Sequence, residues 1–425
     1  MLQKFKNIFN SKEHKVLLEN FISLSLLQIV GYVLPFFTLP YIAKVIGVEN
    51  FGTLAFATSV IVFFQTLVDY GFNYTGVRDI ARVKDNKEQT SFIFSKIMIA
   101  RLVLTVASFL LLLLMILFIP QFQRNSTVLL CTFLLVPGYA IYPEWFFQAI
   151  EKMKYSSVIS TIIKILFTAS IFIFVRERED YIYIPIINGL GFFVAGIGAF
   201  YFIIIKYKYR FVRVSVKDIF NAISGSTNMF ISLILPNLYT NMSTIFLERF
   251  WGKFSTGIFD AGNRFINISQ QITNVLSRTF YPFLSRRMDK HSFYEVMSFS
   301  ISVVVSLVLF FGADFIVYNF YSPAYSEAAT VIKIMAISPI FIFMMNAYGT
   351  NYLVLKGQER ILRNIIAACS LFGFFATYAL VVNYKHIGAA ISITSVWGIR
   401  GIITYYYARR IKLQKNTMNI KHKNE

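Results

Sequence analysis

The sequence predicts an all-α integral membrane protein with about twelve transmembrane helices. Three observations predict this class. The 425-residue chain is 56% hydrophobic and only 15% charged, whereas soluble domains carry about 25% charged residues. Apolar stretches recur along the whole chain, and they are long enough to cross a bilayer, which takes about 20 residues. The segments between these stretches are alternately rich and poor in Lys and Arg.

The candidate spans follow one another with short connections, so we expect no soluble domain. Their approximate bounds are residues 17–42, 52–72, 95–119, 127–149, 157–175, 182–205, 219–247, 256–283, 297–320, 328–354, 364–383 and 388–408. No G-x-x-x-x-G-K-[ST] phosphate loop occurs, which excludes a nucleotide-binding cassette. Any work against a gradient must therefore use an ion gradient or the gradient of the substrate. No cofactor is predicted, and no metal site either, because the four His fall in predicted loops or tails.

Basic residues are distributed unevenly over the predicted loops. Of the 41 Lys and Arg, 28 lie in segments that alternate with segments holding only seven. Cytoplasmic loops of membrane proteins carry such an excess of Lys and Arg. The pattern therefore predicts cytoplasmic N- and C-termini. It also explains the net charge of +20 as a consequence of topology, aided by anionic membrane lipids, and not of nucleic-acid binding.

Two landmarks predict an internal duplication. Gly47 and Gly52 recur as Gly252 and Gly257, 205 positions later, in turns predicted to lie outside. The cytoplasmic end of the fourth span recurs about 208 positions later at the end of the tenth. The chain is thus predicted to form two parallel six-helix bundles, residues 1–210 and 211–425, around a central cavity. Transporters built in this way place the substrate path at the repeat interface.

The eighth span carries a polar stripe. Its members recur every three or four residues, so they share one helix face: Asp260, Arg264, Asn267, Gln271, Asn274 and Arg278. Asp260 and Arg264 are one turn apart and can form an ion pair. An Arg facing lipid at mid-bilayer would cost about 2.5–3.5 kcal/mol. The stripe therefore faces protein or water, as the wall of a cavity or as an interhelical hydrogen-bond seam.

Cations outnumber acids among the other intramembrane charges. Lys164 and Arg101 lie inside the fifth and third spans, where they can line a lumen or extend to the nearest interface. With Arg264 and Arg278 they would give a cavity that suits an anionic cargo such as a phosphate or pyrophosphate. Pro35 and Pro40 are expected to bend the first span, Pro236 the seventh and Pro339 the tenth.

Several motifs resemble one family. They are Leu39-Pro40-Tyr41, Phe51-Gly52, Asp69-Tyr70-Gly71-Phe72-Asn73, Arg78-Asp79-Ile80-Ala81, Trp145-Phe146-Phe147-Gln148, Tyr281-Pro282 and Leu355-Lys356-Gly357-Gln358. Together they resemble bacterial polysaccharide repeat-unit flippases. These are the O-antigen and capsule translocases of the multidrug/oligosaccharidyl-lipid/polysaccharide exporter superfamily. The resemblance is specific in the first 80 residues and looser after residue 210, and Ala149 stands where the family more often has Gly.

The resemblance implies a substrate and a location. The substrate would be an oligosaccharide repeat unit on an undecaprenyl pyrophosphate carrier, turned from the cytoplasmic to the outer leaflet of the bacterial inner membrane by alternating access. Arg264, Lys164, Arg278 and Arg101 would then attract the pyrophosphate. Sugar hydroxyls would be contacted by Asn267, Gln271 and Asn274, and Asp260 is the candidate for ion coupling. An O-antigen polymerase and a chain-length regulator would be partners, as the family implies.

Two other functions are compatible with parts of the pattern. A drug or metabolite exporter of the same superfamily would share the fold, although it would favour acidic residues for cationic drugs. A membrane enzyme such as a repeat-unit polymerase would need a sizeable outer loop, and the predicted outer loops at 43–51, 120–126 and 176–181 are short. The chain is therefore expected not to be an enzyme. The sugar composition, the type of polymer, the coupling ion and the oligomeric state stay open.

Overall fold

The computed structural model describes the backbone of residues 12–83 and 85–424, and the side chains of these residues other than 12–33, 35–36, 282 and 413–424. The predicted basic segment before the first span therefore lies mostly outside the described residues. Within the described part the chain is almost entirely helical, with no β-strand. This confirms the predicted all-α class.

Long helices alternate with short ones along the chain. The α-helices, numbered α1 to α15 in order, are Lys12–Asp69, Phe72–Ala81, Lys87–Phe118, Pro120–Arg124, Ser126–Phe133, Leu135–Ile141, Glu144–Ala149, Met153–Phe174, Tyr183–Tyr201, Val216–Ile234, Asn237–Arg286, His291–Phe320, Ala328–Met335, Ser338–Met344 and Glu359–Asn424. Tighter 3-10 turns are Arg178–Ile182, Met288–Lys290, Pro323–Tyr325 and Val354–Lys356, and wider π-helical segments are Phe202–Lys206 and Met345–Leu353. The bend expected at Pro236 is confirmed, since the helix breaks there between α10 and α11. The bends expected at Pro35, Pro40 and Pro339 stay predictions.

Membrane-crossing helices fill the described chain. Eight helices, or nine if the bent pair α10 and α11 counts as one span, are long and apolar enough to cross a bilayer. Three long helices contain non-helical residues, which fall at Gly47, at Gly252 and at Tyr384–Lys385. Each break lies in a turn predicted to separate two spans. The protein is thus a multi-pass membrane protein, and the count of twelve spans stays a prediction.

The breaks at Gly47 and Gly252 have nearly the same backbone conformation. Their φ and ψ angles are 73° and 173° at Gly47 and 77° and −176° at Gly252. A positive φ combined with an extended ψ is a region that only glycine enters readily. Two glycines 205 positions apart therefore form the same kind of break between two helical segments. This agreement supports the internal duplication.

Gly252→Ala isolates the backbone contribution of one break. A Cβ atom at Gly252 would meet nothing within 4 Å, so its effect arises from the positive φ alone. We expect a destabilisation of about 1–3 kcal/mol, measured as a lower apparent Tm of the detergent-purified protein. Gly225→Ala is the matched control, because it also meets nothing within 4 Å and lies in the ordinary helix α10. Equal Tm values for the two variants would contradict the assignment.

The first compact unit comprises residues up to Gly47 and Ala57–Ile234. An aromatic core holds its helices together, with Phe94, Trp145 and Phe146 almost fully buried. The extended segment after residue 207 is pinned to α3, because Ser91 and Ser95 accept hydrogen bonds from the backbone N–H groups of residues 210 and 212 at 3.2 and 3.0 Å. Such polar links compensate for the weak hydrophobic driving force between helices in a membrane.

Helix α10 belongs to this first unit although it follows residue 210. The Thr75 and Ser226 hydroxyls are 2.8 Å apart, and the Tyr70 and Phe230 rings are stacked at 4.4 Å. These contacts explain why the unit extends to Ile234. The predicted division into two six-helix bundles at residues 1–210 and 211–425 stays a prediction.

The second compact unit comprises Val48–Phe56 and Leu235–Glu425. The short segment Val48–Phe56 packs against α11 through a close approach of backbones. A Cβ atom on Gly52 would lie 1.9 Å from the Lys253 carbonyl oxygen, and one on Gly257 would lie 2.2 Å from the Val48 carbonyl oxygen. Only glycine allows these two segments to lie so close. The contact places Phe51 on the side of α11 that bears the polar stripe.

Candidate functional site

The ion pair predicted within the polar stripe is formed. The Nε atom of Arg264 donates a hydrogen bond to Oδ2 of Asp260 at 2.8 Å, one helical turn away on α11. The Asp260 side chain is 18% exposed and the Arg264 side chain 42%. One edge of the guanidinium group is therefore fixed by the carboxylate, while much of it stays accessible.

Several aromatic rings also lie next to Arg264. The guanidinium carbon lies 4.7 Å from the centroid of the Phe51 ring, a distance typical of a cation–π interaction. Tyr321 and Tyr325 are stacked at 4.8 Å, and both lie near Arg264. The Tyr321 hydroxyl donates a hydrogen bond to the Ala261 carbonyl at 2.9 Å, which fixes the ring against α11. These aromatic rings thus hold the guanidinium group in a fixed position.

The rest of the stripe continues along α11 as an accessible polar surface. Asn267 and Arg278 are exposed, and Gln271 and Asn274 are partly buried. Asn274 accepts a hydrogen bond from the Asn346 side chain at 2.9 Å, so it also joins α11 to the π-helical segment Met345–Leu353. An interhelical seam is therefore present at Asn274, and a cavity wall along the rest of the stripe stays a prediction.

In the first unit, Lys164 lies beside an acidic residue. It is partly buried on α8, and its charge interacts with that of Glu144, the exposed first residue of α7. The two side chains belong to neighbouring helices that pack within one unit. Lys164 is thus an intramembrane cation with a nearby counter-charge, as Arg264 is in the second unit.

Arg101 has a different environment from the other candidate cations. Its side chain is only 1% exposed, its Nη2 atom donates a hydrogen bond to the Tyr139 carbonyl at 3.0 Å, and its guanidinium lies 5.1 Å from the Tyr139 ring. Asp69 is close enough for its charge to interact with Arg101, and Asn73 donates to the Tyr139 hydroxyl at 2.8 Å. In this conformation Arg101 is enclosed within the first unit, and its contact with substrate stays a prediction.

The aromatic residues that contact these cations were not predicted from the sequence. Phe51 is 213 positions from Arg264. Tyr321 and Tyr325 follow the end of α12 and share no helix, so no helical spacing indicates them. Tyr139 was missed for the same reason. Within the described residues, no group of three His, Cys, Asp or Glu is placed to hold a metal ion.

The family follows from a comparison of the sequence with family models. A model described as "Polysaccharide biosynthesis protein" matches residues 17–288. The chain belongs to this family. A relative from Escherichia coli (strain K12) named "Putative O-antigen transporter" is 27% identical over 402 residues, which cover 93% of this chain and 97% of the relative.

Solved structures of two transporters have a similar fold. The lipid II flippase MurJ in its inward closed conformation has a TM-score of 0.72 at 15% identity, over 92% of this chain and 87% of that chain. An inward-facing multidrug resistance MATE family transporter of the MOP superfamily has a TM-score of 0.64 at 14% identity, over 91% and 99% of the two chains. At these identities the likeness concerns the fold alone.

Proposed function

We propose that this chain is a flippase for lipid-linked polysaccharide repeat units. It moves oligosaccharides carried on undecaprenyl pyrophosphate from the cytoplasmic to the outer leaflet of the bacterial inner membrane, by alternating access, for assembly of O-antigen or capsule. Both termini lie in the cytoplasm in this proposal, as the distribution of Lys and Arg predicts. A polymerase and a chain-length regulator would then act on the translocated units.

One observation carries the proposal, namely the likeness to a protein named as an O-antigen transporter over nearly the full length of both chains. A likeness confined to one part of the chain would support a common fold element and little more. Here the aligned region covers 93% of this chain and 97% of the relative. The family description, polysaccharide biosynthesis, agrees with it.

The carboxylate and the aromatic rings around Arg264 support binding of an anionic head group. A guanidinium group can donate paired hydrogen bonds to phosphate oxygens, and its strength as a donor rises where water is scarce. Asp260 occupies the Nε edge, and Phe51 covers one face, so the remaining donors have a defined direction. We propose that these donors, with Lys164 and Arg278, bind the pyrophosphate, and that Asn267, Gln271 and Asn274 contact sugar hydroxyls.

Asp260 has two compatible roles in this proposal. It holds Arg264 in place while the site is empty, and it is the candidate for ion coupling because a proton or cation on its carboxylate would release the guanidinium. Coupling and substrate binding would then share one ion pair. This would link the charge of Asp260 to the affinity for the head group.

The other two functions are less well supported. A drug or metabolite exporter of the same superfamily would share the fold, but the accessible intramembrane charges of both units include cations suited to an anionic cargo. A membrane enzyme would need an extramembrane site for donor and acceptor, and the predicted outer loops are too short for one.

The proposal is tested by deleting the gene in its host and locating the lipid-linked oligosaccharides. In spheroplasts, head groups on the outer face react with an impermeant reagent, whereas those on the cytoplasmic face react only after permeabilisation. We expect the repeat units to accumulate on the cytoplasmic face and to reach the outer face when the gene is restored. Normal translocation in a deletion strain without a redundant flippase would reject the proposal and favour the exporter.

A further inference from the structure

The second unit contains a polar pocket that the flippase proposal does not use. It is open on one side, has a volume of about 110 Å³, and lies where the start of α12, the segment Met345–Leu353 and the end of α15 meet. This volume is below the roughly 300–1,000 Å³ of pockets that enclose a drug-sized ligand, so the pocket suits a small polar group. Its lining combines three tyrosines with charges of both signs, namely Glu295, Tyr348, Tyr352, Tyr405, Arg409 and Lys412.

One edge of the pocket is cationic. Arg409 and Lys412 are exposed and lie three residues apart on α15, so they share a helix face. Arg409 donates a hydrogen bond from Nη1 to the Tyr405 hydroxyl at 2.6 Å, and its guanidinium lies 5.5 Å from the Tyr405 ring. This tether orients the guanidinium and uses one of its five N–H donors. Two adjacent cations with donors to spare favour a phosphate group.

Another part of the pocket lining holds two hydrogen-bond acceptors, with no donor between them. His291 is only 4% exposed, and its Nε2 atom lies 2.9 Å from the Ala347 carbonyl oxygen. A carbonyl can only accept, so Nε2 carries a hydrogen, and in the neutral ring Nδ1 then carries a lone pair. Nδ1 has no hydrogen-bond partner in the described part of the chain, and it faces Oε2 of Glu295 at 3.8 Å.

Glu295 is fixed in this position by a second contact. Its Oε1 atom accepts a hydrogen bond from the Tyr348 hydroxyl, and the Tyr348 ring lies against Tyr405 with centroids 4.7 Å apart. The carboxylate is therefore held beside His291, with Tyr352 5.2 Å from the imidazole ring. A buried acceptor that lacks a donor is costly. A carboxylate, a ring nitrogen and aromatic rings together suit an ammonium group, which donates hydrogen bonds and binds to aromatic faces.

We propose that this pocket binds the head group of an aminophospholipid. The phosphate would lie on Arg409 and Lys412, and the ammonium, two carbon atoms away, would donate to His291 and Glu295. The ends of apolar helices lie at the membrane interface, and the basic C-terminal end of α15 is predicted to be cytoplasmic. Basic pockets between membrane helices on that side bind lipid head groups. Phosphatidylethanolamine has the required pair of charges, whereas phosphatidylglycerol lacks the ammonium and phosphatidylcholine lacks its N–H donors.

Native mass spectrometry of the purified full-length protein tests the proposal. The protein is titrated with the three lipids, which carry identical acyl chains. We expect phosphatidylethanolamine to bind about tenfold more tightly than either of the others, as one hydrogen-bonded charge contributes. Glu295→Gln should remove this preference, and Lys412→Gln should weaken binding of all three. Arg363→Gln is the control, because Arg363 is exposed near the start of α15 and does not line the pocket.

The remaining outcomes each count against the proposal. Equal binding of phosphatidylethanolamine and phosphatidylcholine would exclude the donor role of the ammonium. If phosphatidylglycerol bound as tightly as phosphatidylethanolamine, the pocket would recognise only the phosphate group. Binding of free phosphoethanolamine or inorganic phosphate as tight as that of the lipid would assign the pocket to a soluble ligand. The lipid comparison uses the unmodified protein, so it decides the matter even where a variant fails to fold.

Discussion

Replacing both Arg264 and Lys164 by Gln is expected to abolish translocation of the lipid-linked head group while leaving the protein inserted in the membrane. Each charge-assisted hydrogen bond to pyrophosphate contributes about 1.5–3 kcal/mol, so the double variant should lose at least about a hundredfold in rate. The measurement is the rate at which head groups become accessible outside spheroplasts. Arg363→Gln removes an exposed cation elsewhere and serves as the control.

The single variants should differ in a way that the ion pair explains. Arg264→Gln leaves Asp260 without its partner, which adds an uncompensated negative charge where the pyrophosphate binds. It should therefore be more harmful than Lys164→Gln. Arg264→Lys should be intermediate, because lysine keeps the charge but loses the planar contact with Phe51. A fully active double variant would overturn the assignment of both residues.

Gly52→Ala and Gly257→Ala are expected to prevent normal folding. The new Cβ atoms would lie 1.9 and 2.2 Å from backbone carbonyl oxygens, and a backbone cannot move aside as a flexible side chain can. We expect a loss of about 3 kcal/mol or more, at the upper end of overpacking effects. The measurement is the apparent Tm at a fixed scan rate, together with the yield of monodisperse protein after detergent extraction.

Gly225→Ala provides the comparison for these two variants. It meets nothing within 4 Å and lies inside a helix, where alanine is more stable than glycine by about 0.5–1 kcal/mol. Its Tm should equal or slightly exceed that of the unmodified protein. Wild-type Tm and yield for Gly257→Ala would show that the close approach does not exist in the membrane.

Local patterns predicted the parts of the structure that depend on near neighbours in sequence. The three-and-four spacing of polar residues placed Asp260 and Arg264 on one face, because helix geometry alone determines that contact. Turn signals placed the break at Gly252 correctly. In both cases the residues that decide the outcome lie within one helical turn of each other or are glycines with a special φ.

Contacts between distant residues could not be predicted in this way. Phe51 lies under Arg264 because Gly52 lets its segment approach α11, and neither residue indicates the other in a single sequence. The enclosure of Arg101 by Tyr139 depends on how α3 packs against α6 in the first unit. A helix pattern gives the direction in which a side chain points, but not whether a lumen or a neighbour lies there.

The close approach of the two glycine turns is reciprocal. Gly52 meets the residue that follows Gly252, and Gly257 meets the residue that follows Gly47. Each surface thus contacts its own duplicate, which is the defining property of an isologous interface. Two identical chains of half this length could form the same contact as a symmetric homodimer. The turn therefore has the form expected of a symmetric dimer interface, in which a change on one side must be matched by a change on the other.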